Sequence, residues 1–347
     1  MARSTQADRP VAAGSALVRG LAVGSLVGAC GLWAYAVMIH MPGTSERGPS
    51  PPLALKEVVL RDALRRDVET LAGEIGERNL TRYEGLRAAA EFLSASLASA
   101  GYAVRRQEYD VAGKACQNLE VELPGRGPAG GIVIVGGHYD SVEGSPGAND
   151  NATGAAAILA LARAFALTRP ARTLRFVEFV NEEPPYFQTA AMGSAVYARG
   201  CRERGERVTA MLSLETIGYY SDQPGSQAYP FPFQFFYPAT GNFIGFVGNL
   251  ASQGLVREVV RSFRHHTTFP AEGVATFSSI PGVAWSDQWA FWQEGYQAVM
   301  VTDTAPFRYP YYHSQLDTPD KIQYDHLARV VLGLERVVAD LIELGGI

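Results

Sequence analysis

The chain has 347 residues, 47% hydrophobic, 19% charged and 10% aromatic, with a formal net charge of −5 at pH 7. This composition supports a large core and excludes a low-complexity or disordered chain. The mildly acidic balance, with no basic block, argues against a nucleic-acid partner.

From Gly20 to Met41 the sequence GLAVGSLVGACGLWAYAVMIHM holds 22 residues without Lys, Arg, Asp or Glu. As a helix such a run would extend about 33 Å, enough to cross a bilayer core. Arg3, Arg9 and Arg19 stand before it. The positive-inside rule therefore predicts a cytoplasmic tail over 1–19, a single-pass transmembrane anchor over 20–41, and a catalytic domain on the extracytoplasmic side. A cleaved signal peptide and a lipidated Cys30 are the alternatives. The run is longer than a usual signal core, and it stays apolar beyond Cys30. Residues 42–54, rich in Pro, Gly and Ser, read as a linker.

Residues 55–347 read as one domain. Helical periodicity marks Leu55–Ile75 and Thr81–Gly101. Apolar strands follow at Gln117–Gly125, Gly130–Asp140, Thr173–Val180, Val208–Glu215 and Gln297–Asp303. Helices lie between them at Thr153–Leu167 and near Thr189–Gly200, and a long one closes the chain after Asp320. Short apolar strands alternating with helices predict an α/β three-layer sandwich, a mixed but mostly parallel central sheet flanked by helices. Tyr229–Pro238, YPFPFQFFYP, is irregular; it is either a packed loop or the wall of a binding pocket. Cys116 and Cys201, the two cysteines beyond the apolar run, would pair in an oxidising compartment or stand as separate apolar residues. No CxxC spacing exists, which excludes a zinc finger.

In open α/β sheets the ligand sits beyond the C-terminal ends of the strands. Those ends carry His138, Asp140, Asp150, Glu182, Glu183, Glu215 and, after the last buried strand, His313. All are nitrogen or oxygen donors of the kind zinc accepts. Glu182 and Glu183 are adjacent and repel each other, and Pro184–Pro185 stops any continuing strand.

The segments HYDS, GANDNATG, NEE, SLE and YHSQLDTPD, in this order, resemble the co-catalytic zinc aminopeptidases, metallopeptidase family twenty-eight. The resemblance runs from Leu55 to the C-terminus. It implies the aminopeptidase fold, two zinc ions, and peptides with a free N-terminus as substrates. It assigns His138 and Glu215 to one zinc, Glu183 and His313 to the other, and Asp150 as the bridge between them. Glu215 stands where many relatives carry Asp. Glu182 becomes the unliganded general acid/base, and Asp140 the residue that orients His138. Asp287, in the SDQ of Ser286–Gln288, becomes a supporting residue behind the ligands. Two divalent ions would remove the repulsion between the adjacent glutamates. Phe307, Tyr309, Tyr311 and Tyr312 are candidates for an apolar pocket wall, and Arg308 would hold a substrate carbonyl or carboxylate, or pair with a surface acid. Two other readings stay open. One is a glutaminyl cyclase with a single zinc at Asp150, Glu183 and His313; the other is a non-catalytic, membrane-anchored receptor on the same fold.

Overall fold

The computed structural model of the protein describes residues 12–48, 51–127 and 130–343. The chain divides into two units, residues 1–40 and 41–347.

In the first unit, helix α1 spans Ala12–Ala34 and a wider π-type turn follows over Tyr35–Ile39. The transmembrane helix expected over Gly20–Met41 is not found. Helix α1 starts earlier and takes in Arg19, its regular geometry stops at Ala34, and Met41 lies in the core of the second unit. Among the described residues, no helix is long and apolar enough to cross a membrane. Residues 1–11 of the expected cytoplasmic tail lie outside the described residues.

The linker is not free either. The Arg264 guanidinium donates to the carbonyls of Met41, Pro42 and Gly43 at 3.4, 3.1 and 3.1 Å, and the Ser45 hydroxyl accepts from the Ala271 amide at 3.1 Å. Composition marked this stretch as flexible, but one arginine gathers its carbonyls onto the domain.

The second unit is the expected sandwich. Its helices are α2 (Leu55–Val68), α3 (Tyr83–Ser99), α4 (Thr153–Phe165), α5 (Gly193–Glu203), α6 (Gln253–His266), α7 (Gln288–Gln293), the single turn α8 (Ala305–Arg308), and α9 (Tyr324–Glu343). Its strands are β1 (Arg105–Val111), β2 (Lys114–Leu123), β3 (Ile132–His138), β4 (Thr173–Phe179), β5 (Val208–Glu215), β6 (Ile244–Asn249), β7 (Ala271–Thr276) and β8 (Ala298–Thr302). They form one sheet in the order β1-β2-β4-β3-β5-β8-β6-β7. The central run β4-β3-β5-β8 is parallel; antiparallel pairs flank it, and β6 and β7 at the far edge are again parallel.

The parallel strands are buried on both faces, which is why they read as continuous apolar runs. Val135, Phe176 and Leu212 meet α2, α3, α4 and α9 on one face; Val177, Phe179 and Met211 meet α5 and α7 on the other. Strands β1, β6 and β7 and helices α6 and α7 were not legible in the sequence. β6 (IGFVGN) and β7 (AEGVAT) contain glycines and few β-branched residues. Cys116 and Cys201 are both buried and unpaired.

Registers align the ends of the parallel strands. His138 lies opposite Phe179, Gly136 opposite Ser213, and Glu215 opposite Thr302. The polar residues that follow each strand therefore meet at one edge.

Glu178 on β4 is fully buried and neither of its carboxylate oxygens has a hydrogen-bond partner. Burial raises its carboxyl well above the usual range. A folded value above the unfolded one leaves no penalty below the unfolded value of about 4.3. The penalty then grows as pH rises towards the folded value. Glu178→Gln is therefore expected to gain stability over the parent chain as pH is raised from about 4 to about 8. Melting temperatures of the two chains across that range check this, and curves that stay parallel would contradict it.

Candidate metal centre

The centre is built around Asp150, whose two carboxylate oxygens face different histidines. Oδ1 lies 3.3 Å from His138 Nε2 and Oδ2 lies 3.1 Å from His313 Nε2. Glu215 Oε2 approaches the same His138 nitrogen at 3.2 Å, and Glu183 Oε2 approaches the His313 nitrogen at 3.3 Å. Two clusters result, His138–Asp150–Glu215 and Asp150–Glu183–His313, each with its ligand atoms within 4.8 Å of one another. Glu182 belongs to neither. Its Oε2 stands 3.9 Å from His138 Nε2.

Each ligand is held by its neighbours. His138 turns Nδ1 towards Asp140, 3.2 Å from its carbonyl and 3.4 Å from Oδ1, which leaves Nε2 facing the cluster. The Asp140 carboxylate also accepts from the backbone amides of Glu182 (3.1 Å) and Glu183 (3.2 Å). One acid thus fixes a ligand histidine and the peptide that carries both glutamates. Glu183 Oε1 accepts from the Val142 amide at 3.0 Å, and Glu215 Oε2 accepts from the Ser286 hydroxyl at 2.7 Å.

The Asp150 loop is stapled from three sides. Asp317 accepts from the amides of Asn149 (2.8 Å) and Asp150 (3.1 Å), and from the Tyr309 hydroxyl at 2.7 Å. Asn149 Oδ1 accepts from the Gly218 amide, while Asn151 reaches the Leu214 carbonyl and the Thr216 amide, so both asparagines tie the loop to the end of β5. Arg78, fully buried, donates to the carbonyls of Tyr139 and Gly147 at 2.6 and 2.7 Å and to that of Pro146. Gly147 sits at φ +61°, where a Cβ would fall 2.6 Å from Ser141 Cβ. Only glycine fits that turn.

Among the described residues, three of the six non-glycine residues with positive φ lie here: Asn181 before Glu182, Thr216 after Glu215, and His313 itself. Such backbone costs about 1–3 kcal/mol per residue and clusters at functional sites.

The electrostatics fit a divalent cation. Burial raises the Glu182 carboxyl well above its usual range. It lifts Glu183 to about 7, with Asp150 adding to it, and raises Glu215 in the same direction. Burial alone would lower both histidines. Glu182 and Glu215 instead raise His138 well above its usual value, and Asp150 and Glu183 raise His313 to about 10. Burial would also raise Asp150, but the nearby His138 and His313 imidazoles hold it below the usual carboxylate range. Four carboxylates around two imidazoles make an anionic, buried hollow. Two of its buried atoms, His138 Nε2 and Asp150 Oδ1, have no hydrogen-bond partner. The donor set of imidazole and carboxylate suits zinc.

Other expected residues fall elsewhere. Tyr309 is buried against Asp317, and Tyr311 packs edge-on against Tyr309 beneath Lys321; neither lines the pocket. Tyr312 does, with its ring stacked on His313 at 3.9 Å. Phe307 does as well. Arg308 does not line the cleft, and among the described residues it forms no ion pair with a surface acid. It is buried, donating to Gln227 Oε1 at 2.7 Å and to the Phe243 carbonyl at 2.9 Å, with its guanidinium over the Phe243 ring. Asp287 is fully buried, with its carboxyl pushed up to about 7 by burial; the hydroxyl that reaches a ligand belongs to its neighbour Ser286. Sequence reasoning gave no role to Asp317, Ser286 or Arg78. The first two lie inside the quoted motifs YHSQLDTPD and SDQ, but Arg78 left no local signal.

Beside the clusters opens an apolar cleft with about 800 Å³ of open space. Glu215 and Tyr312 border both. Tyr229, Phe233 and Tyr237 of the YPFPFQFFYP run form one wall, and Phe243, Trp285 and Met300 line the rest.

Paired histidine–carboxylate clusters at the strand ends of an α/β sandwich define a metal-dependent hydrolase. The chain belongs to peptidase family M28, whose model matches residues 118–338. It is 35% identical over 283 residues to YfbL of Escherichia coli, described as uncharacterized, covering 79% of this chain and 86% of that protein. Leupeptin-inactivating enzyme 1 of Streptomyces exfoliatus is 29% identical over 217 residues, 61% of this chain; there the chain spans about half (47%) of the relative's length. The fold matches a zinc aminopeptidase from Bacillus subtilis with a TM-score of 0.65 at 14% identity, over 83% of this chain and 96% of that one. A glutaminyl cyclase of Porphyromonas gingivalis matches with a TM-score of 0.59 at 17% identity, over 81% and 98%.

Glu183 and His313 must both be deprotonated to serve as ligands, and both lie above their ordinary values. Zinc uptake near neutral pH is therefore expected to release protons, and affinity should fall as pH drops below about 10, where His313 takes up its proton, and more steeply below about 7, where Glu183 does. Calorimetric titration of zinc in buffers of different ionisation enthalpy measures that release. Identical heats in all buffers would contradict it.

Proposed function

We propose that the protein is a zinc-dependent aminopeptidase that hydrolyses the first peptide bond of peptides with a free N-terminus. The observation that carries this reading is Asp150, with one oxygen directed to each of two complete clusters while Glu182 stays outside both. His138, Asp150 and Glu215 would hold one zinc, and Asp150, Glu183 and His313 a second. When bound, zinc supplies a Lewis acid and lowers the pKa of a bound water towards about 7. The chain's own residues do the rest. Glu182, buried and with a raised carboxyl pKa, takes a proton from the attacking water and returns it to the leaving amine. The cleft takes the first side chain, and Tyr312 stands between cleft and clusters. The aminopeptidase names among relatives and neighbours support this reading.

Fold similarity to glutaminyl cyclases motivates one alternative, cyclisation of an N-terminal glutamine at a single zinc on Asp150, Glu183 and His313. The completeness of the His138–Glu215 side favours hydrolysis.

We expect elemental analysis to give near two zinc per chain and chelator-sensitive cleavage of aminoacyl fluorogenic substrates. Glu182→Gln should keep the zinc and lose about 10²–10⁴ in rate, whereas Glu183→Gln should lose zinc. One zinc per chain together with pyroglutamate formation would move the assignment to the cyclase. Retained zinc in Glu183→Gln with zinc lost in Glu182→Gln would reverse the two roles.

We also infer that the peptidase domain works outside the cytoplasm. The support is the order of charge: three arginines, then the uncharged run 20–41, then a mildly acidic domain. A C-terminal reporter active only outside the cytoplasm should be active, and the size of the exported chain shows whether the run is retained. A silent reporter would refute the location.

A further inference from the structure

We propose that loop 229–238 is a lipid-contacting lip that rests the peptidase domain on a membrane surface beside the mouth of its own cleft. This goes beyond the aminopeptidase reading and does not depend on it.

The loop has two faces. Inward, Phe233 is buried, Tyr229 donates its hydroxyl to the Pro238 carbonyl at 2.7 Å, and Tyr237 donates to the Gly273 carbonyl of β7 at 2.7 Å. Outward, Phe231 is 78%, Phe235 71% and Phe236 48% exposed, with the Phe231 and Phe235 rings edge-to-face at 6.1 Å. The polar groups of the inner aromatics are satisfied within the domain. The outer three rings present only hydrocarbon, and a cluster of this kind in water marks a contact surface.

The entry point of the chain argues for the occupant. Met41, the first residue of this domain, packs at Gly273, so that a Cβ there would lie 3.0 Å from Met41 Cγ. Gly273 is also the residue whose carbonyl anchors Tyr237. The next residues, 45–48, run beside Pro238, Thr240 and Asn242. The chain therefore enters this domain, at Met41, by the base of the aromatic loop. Within the uncharged run of 20–41, Val23, Leu26, Leu32 and Trp33 expose 61%, 65%, 72% and 62% of their surface. An apolar segment of this kind enters a lipid interface without needing to span it, and aromatic residues settle at that depth. The stretch between carries one exposed acid, Glu46, and one exposed base, Arg47, so the contact is apolar rather than electrostatic. Because Tyr229, Phe233 and Tyr237 also wall the cleft, substrates would reach it along the lipid surface.

The test uses the full chain with Cys30→Ala and a nitroxide on Phe235→Cys, in phosphatidylcholine vesicles. Cys116 and Cys201 are buried and stay unlabelled. The nitroxide should become several-fold more accessible to oxygen than to a water-soluble nickel chelate, and 1 M salt should not reverse this. A label on Leu167→Cys, 98% exposed before the start of β4, should show the opposite preference. Adding Phe231→Ser and Phe236→Ser should restore chelate access at 235. Failure of the chain to float with vesicles, or equal chelate access at 235 and 167, overturns the proposal. So does protection at 235 that appears only with an added apolar peptide and no lipid, which would make the loop a peptide-docking surface. None of these readouts involves turnover, so they stand apart from the aminopeptidase assay.

Discussion

The structure depends on one electrostatic constraint: four carboxylates, Asp150, Glu182, Glu183 and Glu215, are buried together, with the buried His138 and the exposed His313 to meet them. Buried like charges are costly unless a cation or a proton answers them. Here the two histidines respond with raised affinity for protons, and the glutamates do the same. A divalent ion in each cluster would answer the same field.

Holding mutually repelling groups in place requires rigid support, and most of it comes from the backbone. Asp140 accepts from the amides that precede both glutamate side chains, and Asp317 accepts from the amides that lead into Asp150. The positive φ values of Asn181, Thr216 and His313 are sustained by neighbours such as Asn151, which accepts from the Thr216 amide. Below them the parallel strands supply a rigid floor, buried on both faces. The strain is thus concentrated where ligand direction matters and is borne by ordinary packing elsewhere.

The cleft is the opposite kind of environment. Its wall is aromatic and proline-rich, and it meets the charged centre only at Glu215 and Tyr312. A substrate lying across that boundary would put its apolar first side chain in one environment and its reacting amide in the other. The same aromatic loop faces outward on its other side, so specificity and location would share one element.

The sequence alone determined much of this protein. Largely apolar runs located β3, β4, β5 and β8, because strands buried on both faces have few polar positions. Acids and histidines at the ends of those runs, matched in order to a known family, named all five candidate ligands as well as Glu182 and Asp140. Local pattern failed where contacts at a distance decide. The glycine-containing β6 and β7 are strands because β8 and each other pair with them. Arg308, six residues after the end of β8 at Thr302, lies near His313 in sequence but turns into the Gln227–Phe243 contact. Ser286 rather than Asp287 reaches Glu215, a choice made by the direction in which the start of α7 faces. The linker composition promised a free tether until Arg264, more than two hundred residues away, collected its carbonyls. Hydrophobic periodicity is a local property and can be read along the chain, whereas the partner of a buried polar group is set by the fold that brings it there.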